Sequence, residues 1–373
     1  MQLPVLQREK PHSTAQSPFE TGPRSIAAVR VLRISVTDRC NFRCVYCMPA
    51  NGVRWLPKDE ILTFEEISDV VKAAVQIHGI KRFKLTGGEP TVRHGIVELI
   101  RRLRTIPGVA DLSLTTNGFL LADLARPMKQ AGLDRITVSI DSLRPQRFGA
   151  ITRTGDLGDV LRGLDAAEAA GFDGLKINCV TMRGTNDDEL VDFARLSLKR
   201  KLTVRFIEYM PLGDAALLHR PDRSVDQSEL GPAGGCGAQV RGENALVPEQ
   251  EVRDAIEREL GQLVPVDSGL EPGVGPAKVY RLARGNPRGR IGFISAMSAP
   301  FCATCNRLRL TAVGMLRSCL FEGGEVNIRS ILRGTSQPSL RLARLAHAMS
   351  ECVRLKPEVH SHHGNEQMSR IGG

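Results

Sequence analysis

The stretch CNFRCVYC places Cys40, Cys44 and Cys47 within eight residues, and a second group, Cys302, Cys305 and Cys319, follows as a CxxC pair with one later cysteine. Thiolates are soft ligands suited to zinc or to iron–sulfur clusters. A structural zinc site takes four protein ligands, and neither group has a fourth beside it. A 4Fe–4S cluster on three cysteines leaves one iron open to a further ligand. Two such triads make a pair of open-iron clusters the more economical reading. Zinc remains the alternative, more so for the second triad, where Cys352, His360, His362 or His363 could close a tetrahedron. Nine cysteines, an odd total, with no secretory pattern, favour a reduced, cytoplasmic, metal-binding chain over a disulfide scaffold.

These groups must be held by regular elements. From about residue 31, short β-branched runs alternate with amphipathic helices: VLRISVT (31–37), then FKLTGG, LSLTTNG, RITVSID, LKINCVTM and VRFIEYMP. Parallel neighbours need a crossover helix, so six strand-then-helix units imply a parallel sheet in a barrel-like α/β fold. The helix read over 63–79 puts Ile67, Val70, Val71, Ala74 and Ile77 on one face, with Thr63 and Glu66 as a capping box and Gly79 as a stop. NDDELVDFARLSLKRK (186–201) reads as one helix, acidic at its start and basic at its end. Polar residues gather just after each strand, the edge where barrel chemistry sits. Arg33, Lys84 and Lys176 stand on three strand candidates. Strand cations pointing inward are expensive unless an anion pairs with them; on an outward face they would simply snorkel. Arg307 and Arg309 would share one face of an extended segment.

At 373 residues, 42% hydrophobic and 25% charged, the chain is long enough for one large α/β barrel or two ordinary domains. An aromatic content of 4% argues against an RNA-stacking surface, and no apolar run of about 18 residues predicts a membrane span. The net charge of +10 suits a nucleic-acid binder and a polyanionic small substrate equally well. Residues 1–27 read as a disordered leader, 28–211 as the barrel and 212–247 as a Gly-rich insertion or loop. An irregular cluster-binding region follows over 248–330, then a C-terminal helix and tail over 331–373. Within it, KVYRLARGNPRGRIGFISAM reads as two strands joined by a turn.

CNFRCVYC resembles the CxxxCxxC signature of the radical S-adenosylmethionine superfamily, and TGGEP (86–90) its GGEP motif. RISVTDRCNFRCVYCMP, LTTNG, VSIDSL, FIEYMP, CATCNRLRLTAVGMLRSCL and the terminal IGG narrow the resemblance to the GTP 3′,8-cyclase family of molybdenum cofactor biosynthesis, over roughly residues 28–330 and the last few. The implied fold is an incomplete (β/α)6 TIM-type barrel with a C-terminal extension carrying a second iron–sulfur cluster. The resemblance implies that Cys40, Cys44 and Cys47 hold a 4Fe–4S cluster that binds S-adenosylmethionine, while Cys302, Cys305 and Cys319 hold one that ligates the purine. The adenosyl radical would take hydrogen from ribose C3′, and the carbon radical would close on C8.

Cofactor contacts then fall on Tyr46, Gly88, Ser139 and Met210, with Glu89 either bonded to the cofactor or facing solvent. Substrate contacts fall on Arg33, Lys84, Thr115, Lys176, Arg307 and Arg309, Lys84 standing where many members carry arginine. Gly372 and Gly373 match a tail that reaches into the active site. The implied partners are GTP, an external one-electron reductant, the next enzyme (cyclic pyranopterin monophosphate synthase) and a second copy in a cytoplasmic homodimer, with neither nucleic acid nor membrane. The departures, residues 218–247 with Cys236 and the loosely matching 331–368, are expected not to touch the cluster motifs. The rival readings are a peptide-modifying radical enzyme with an auxiliary cluster and a zinc-stabilised nucleic-acid binder.

Overall fold

Every strand expected up to residue 211 forms, within two residues of its predicted start. In the computed structural model, which describes residues 22–212, 245–266, 275–284, 289–321, 325–334, 337–360 and 371, these are β1 (Val31–Ser35), β2 (Arg82–Thr86), β3 (Asp111–Thr116), β4 (Arg135–Ser139), β5 (Leu175–Thr181) and β6 (Leu202–Glu208). They pair in order and in parallel. The helices between them are α1 (Phe64–Gln76), α2 (Ile96–Arg104), α3 (Leu121–Gln130), α4 (Pro145–Thr152), α5 (Leu157–Ala169) and α6 (Leu190–Lys199). The leader and the insertion lie mainly outside the described residues, as do Cys236, His362, His363, Gly372 and Gly373.

The start of α1 is as read. Thr63 Oγ1 accepts from Glu66 N at 3.2 Å and Glu66 Oε2 accepts from Thr63 N at 2.7 Å. Ile67, Val70, Val71 and Ala74 are fully buried, and burying each isoleucine or valine contributes about 1.5–3 kcal/mol. Ile77 departs from the expectation: it follows the helix as its C-cap and is 50% exposed. The 186–201 helix also departs. Asp187–Glu189 form a 3₁₀ turn before α6, and Glu189 is withdrawn from solvent to accept from Ser142 Oγ and Leu143 N, each at 2.7 Å. A tertiary contact has taken one of the acids that a solvated first turn would have used.

Beyond residue 212 the chain is less irregular than expected. It supplies α7 (Glu249–Leu260), β7 (Leu263–Pro265), β8 (Lys278–Leu282), β9 (Arg290–Ile294), β10 (Arg307–Leu310), β11 (Met315–Arg317), β12 (Glu325–Asn327), α8 (Arg329–Gly334) and α9 (Pro338–Arg354). β8 and β9 are the antiparallel pair read from the sequence. All twelve described strands form one sheet, in the order β12-β11-β10-β1-β2-β3-β4-β5-β6-β9-β8-β7. β10 pairs in parallel with β1, and β9 in parallel with β6. The later chain thus covers both edges of the six-stranded barrel, removing the unpaired N–H and C=O rows that an open barrel would expose. No described helix is long and apolar enough to cross a membrane.

Candidate active site

The loop from β1 to α1 carries the first triad and is braced from two sides. Gly88 N donates to Thr37 O at 2.8 Å and Glu89 N to Arg39 O at 2.7 Å. A Cβ on Gly88 would stand 2.4 Å from Arg39 O and 2.6 Å from Asp38 O, so the glycine is required by the loop it packs on. On the other side, Arg43 N and Val45 N donate to the last carbonyls of α4, Thr152 O and Ile151 O. Arg153, the one described non-glycine residue with positive φ (62°), aims its Nη1 at Arg43 O and Met48 O, both 2.9 Å away. Glu89 does not face solvent; it lines the cavity. Its buried carboxylate accepts from Thr91 N, Thr91 Oγ1, Thr116 Oγ1 and Asn117 N, tying the ends of β2 and β3 together.

Cys40, Cys44 and Cys47 face a cavity of about 320 Å³, a volume on the scale of small-molecule sites. Cys302, Cys305 and Cys319 face the same cavity. Tyr46, Gly88, Ser139 and Met210 also line it. The Tyr46 hydroxyl donates to Asp141 Oδ2 at 2.8 Å, and Asp141 Oδ1 accepts from Val180 N at 2.8 Å. Burial pushes the Asp141 carboxyl up to about 6, against the pull of those two hydrogen bonds. Met210 additionally packs against an apolar group of Leu212, Ala296 and Phe321.

Between the triads the wall is cationic. Arg33 on β1 sits in register with Lys84 on β2 and Arg309 on β10. Arg205, from β6, donates through Nη2 to Thr137 Oγ1 at 3.3 Å, and Lys84 Nζ reaches the same oxygen at 3.3 Å. Burial and mutual repulsion lower three of the cavity-lining bases: Lys84 falls well below its ordinary value through burial, then Arg205 and Arg33, while Arg309 falls to about 10 through burial, then Arg307. Arg33 falls through burial, then Arg309, Arg307 and Arg205. Such crowding of buried like charges is unfavourable unless an anion joins them. Among the described residues, the buried Thr115 Oγ1 and Asn178 Oδ1 on the same wall have no hydrogen-bond partner.

The second triad has a different electrostatic setting. Cys302 opens a 3₁₀ turn that Cys305 caps, with Cys305 N donating to Cys302 O at 3.1 Å. Arg307 lies over the Phe301 ring, 4.9 Å from its centroid, with Nη2 3.9 Å from Cys305 Sγ. Burial would raise the Cys305 thiol, but Arg307 and Lys356 outweigh it and bring it below its ordinary value. By contrast Cys40 is pushed up to about 11, by burial first and then by Glu89. Of the expected zinc completers, His362 and His363 lie outside the described residues; Cys352 is buried inside α9 and is not on the cavity wall, while His360 lines the cavity with its Nε2 donating to Ala296 O at 2.9 Å and its ring stacked on Phe321. Among the described residues no three His, Cys, Asp or Glu side chains are gathered as a single metal ion would require. Three thiols facing one cavity fit a four-iron cluster that leaves one iron open.

Residues 34–197 match the radical SAM superfamily and residues 228–362 match Molybdenum Cofactor Synthesis C. The GTP 3′,8-cyclase of Pelotomaculum thermopropionicum is 46% identical, over 92% of this chain and 98% of its own length. That of Heliobacterium modesticaldum is 41% identical over the same shares, 92% and 98%. The chain belongs to the GTP 3′,8-cyclase family. It is a radical S-adenosylmethionine enzyme, whose chemistry requires an iron–sulfur cluster and that cofactor. The crystal structure of Streptococcus suis SuiB bound to S-adenosylmethionine shares the fold, with a TM-score of 0.50 and 12% identity over 83% of this chain and 62% of that one.

Of the family positions read from the sequence, Arg33, Thr115, Lys84, Arg307 and Arg309 line the cavity. Lys176 does not; it lies two residues before Asn178 on β5, nearer the strand's start, and acts on Lys84 through its charge. Sequence reasoning passed over Asp141, Asn178, Arg205 and Glu208, which also line it. Arg205 had the same signal as Lys84, a cation inside an apolar strand. Glu208 accepts from Met297 N at 2.8 Å and Ser298 N at 2.9 Å, anchoring the segment that leads into the second triad. The expectation that residues 331–368 stay clear of the cluster motifs is overturned: Lys356 Nζ donates to Cys305 O at 3.1 Å and Arg307 O at 3.3 Å.

Proposed function

We propose that this enzyme cyclises GTP to (8S)-3′,8-cyclo-7,8-dihydroguanosine 5′-triphosphate, the first step of molybdenum cofactor biosynthesis. The observation that carries this reading is a row of buried cations lying between two cysteine triads on one cavity. Arg33, Lys84, Arg205, Arg307 and Arg309 would take the triphosphate, whose charge relieves their repulsion. Thr115 and Asn178 supply neutral polar atoms for the rest of the nucleotide, and Lys176 adds charge from below. Cys40, Cys44 and Cys47 would hold one 4Fe–4S cluster and Cys302, Cys305 and Cys319 a second. When bound, the first cluster and S-adenosylmethionine supply the one-electron chemistry that starts hydrogen abstraction. Tyr46, fixed by Asp141, and Gly88, Ser139 and Met210 shape the cofactor side of the cavity. The tail ending in Gly372 and Gly373 would reach into this site, as the family resemblance implies.

The same reading divides the chain at residues 28–211, 212–247, 248–330 and 331–373. It assigns an external one-electron donor, cyclic pyranopterin monophosphate synthase as the acceptor of product, a homodimeric state and a cytoplasmic location. The test is anaerobic reconstitution, with about eight irons expected per chain, followed by incubation with S-adenosylmethionine, a reductant and GTP. Formation of 5′-deoxyadenosine and the cyclised nucleotide is expected. Deoxyadenosine produced with a peptide but not with GTP would sink the assignment in favour of a peptide-modifying enzyme. Cys302→Ala is expected to keep the first cluster and lose all GTP turnover; full activity in that variant would remove the second cluster's role.

A further inference from the structure

Lys356 is 4% exposed and is not part of the cavity wall, so it touches neither substrate nor cofactor there. It follows the C-terminus of α9, where its N–H donates to Val353 O at 3.1 Å and its carbonyl accepts from Arg24 Nε at 2.9 Å. With its backbone held at both ends, its ammonium extends to the back of the CxxC turn. There it donates to Cys305 O and Arg307 O, and stands 4.0 Å from Cys305 Sγ. Arg307 approaches the same sulfur from the cavity side, at 3.9 Å. Cys305 thus has a cation on each side. Arg307 faces the substrate; Lys356 does not.

We propose that Lys356 is a positioning residue for the second iron–sulfur cluster, bracing the Cys305 ligand and biasing that cluster toward its reduced form. The inference rests on the reading of Cys302, Cys305 and Cys319 as cluster ligands. A buried positive charge beside a ligand sulfur favours the more negative cluster, and charge with hydrogen bonds to sulfur sets cluster potentials. Because Lys356 lies off the cavity wall, its effect is exerted through Cys305 and is independent of which nucleotide binds.

The test uses reconstituted holoenzyme, with redox titration followed by electron paramagnetic resonance. The second cluster is distinguished as the one whose signal changes when GTP is added. Lys356→Met is expected to shift that cluster's midpoint to a more negative potential, by at least tenfold in the reduced-to-oxidised ratio, about 59 mV for a one-electron couple. The other cluster should stay where it is, and Lys356→Arg should restore the wild-type potential. Loss of the second cluster's iron in Lys356→Met but not in Lys356→Arg would support the same charge-dependent role. An unchanged potential in Lys356→Met, or equal shifts or equal iron loss in both variants, would overturn the proposal. A wild-type chain with about four irons and no GTP-sensitive signal would instead overturn the second-cluster reading on which it stands.

Discussion

Arg205 and Lys84 reach one hydroxyl, Thr137 Oγ1, from different strands of the barrel. That hydroxyl is neutral, and Arg205 lies close enough to lower the Lys84 basicity, so the two cations repel. The wall thus carries like charges whose repulsion a bound anion would relieve. Removing one of these charges should separate the two effects. Arg205→Met is expected to weaken GTP binding about 10- to 100-fold, the worth of one charge-assisted hydrogen bond at about 1.5–3 kcal/mol. The same variant should melt no lower than the wild type, because like-charge repulsion is relieved. Calorimetric titration with GTP and a thermal melt check both halves; unchanged affinity would place Arg205 outside the substrate site. Arg205 was legible in principle, since an arginine inside VRFIE carries the same message as the lysine inside FKLT. Asp141 was not, because an aspartate after a strand is common, and only its pairing with the Tyr46 hydroxyl marks it.

The element that matters most is the long loop between β1 and α1. It has no regular backbone ladder of its own, so its shape is set by what touches it: the GGEP turn, the end of α4 and the Arg153 guanidinium. Gly88→Ala is expected to displace the loop, because the new Cβ would sit 2.4 Å from Arg39 O. Overpacking of this kind costs about 1–3 kcal/mol, and here the displaced atoms carry the ligands. The expected outcome is first-cluster iron reduced by more than half while the second cluster is retained, measured by iron analysis and Mössbauer spectra. Full occupancy with normal deoxyadenosine formation would mean that the loop tolerates the methyl group. The cap of α1 was legible because a capping box is a local device of four residues. The break between Asp187–Glu189 and α6 was not, since Glu189 is drawn inward by Ser142 and Leu143, some 46 residues away along the chain.

At the scale of the whole molecule, the later half of the chain completes the sheet that the earlier half begins. β10 lies against β1 and β9 against β6, so the two cysteine triads come to line one cavity. α9 closes this arrangement from outside. It buries Leu345, Met349, Cys352 and Val353, and docks on α1 through the Arg341–Asp69 ion pair at 2.7 Å and His78 Nε2 donating to Ala346 O at 2.8 Å. Truncation before Pro338 is expected to lower the melting temperature and cut bound iron from about eight to about four per chain, the loss falling on the second cluster. Iron analysis with and without the truncation, beside a melt, decides it; retention of all the iron would show that α9 supports stability alone.

The strand-helix rhythm, the spacing of both cysteine triads and the resemblance to the GTP 3′,8-cyclases were determined by the sequence alone. Each depends on residues close together in the chain: a period, a cap, a CxxC spacing, a run of motif. Tertiary structure decided what depends on distant residues. It set Arg33, Lys84 and Arg309 abreast by strand register, brought Arg205 across to Thr137, and carried Lys356 to the back of Cys305. The physical reason is that a parallel sheet orders strands by pairing and not by sequence distance. Residue 309 is therefore a neighbour of residue 33, and no local pattern in either segment records it.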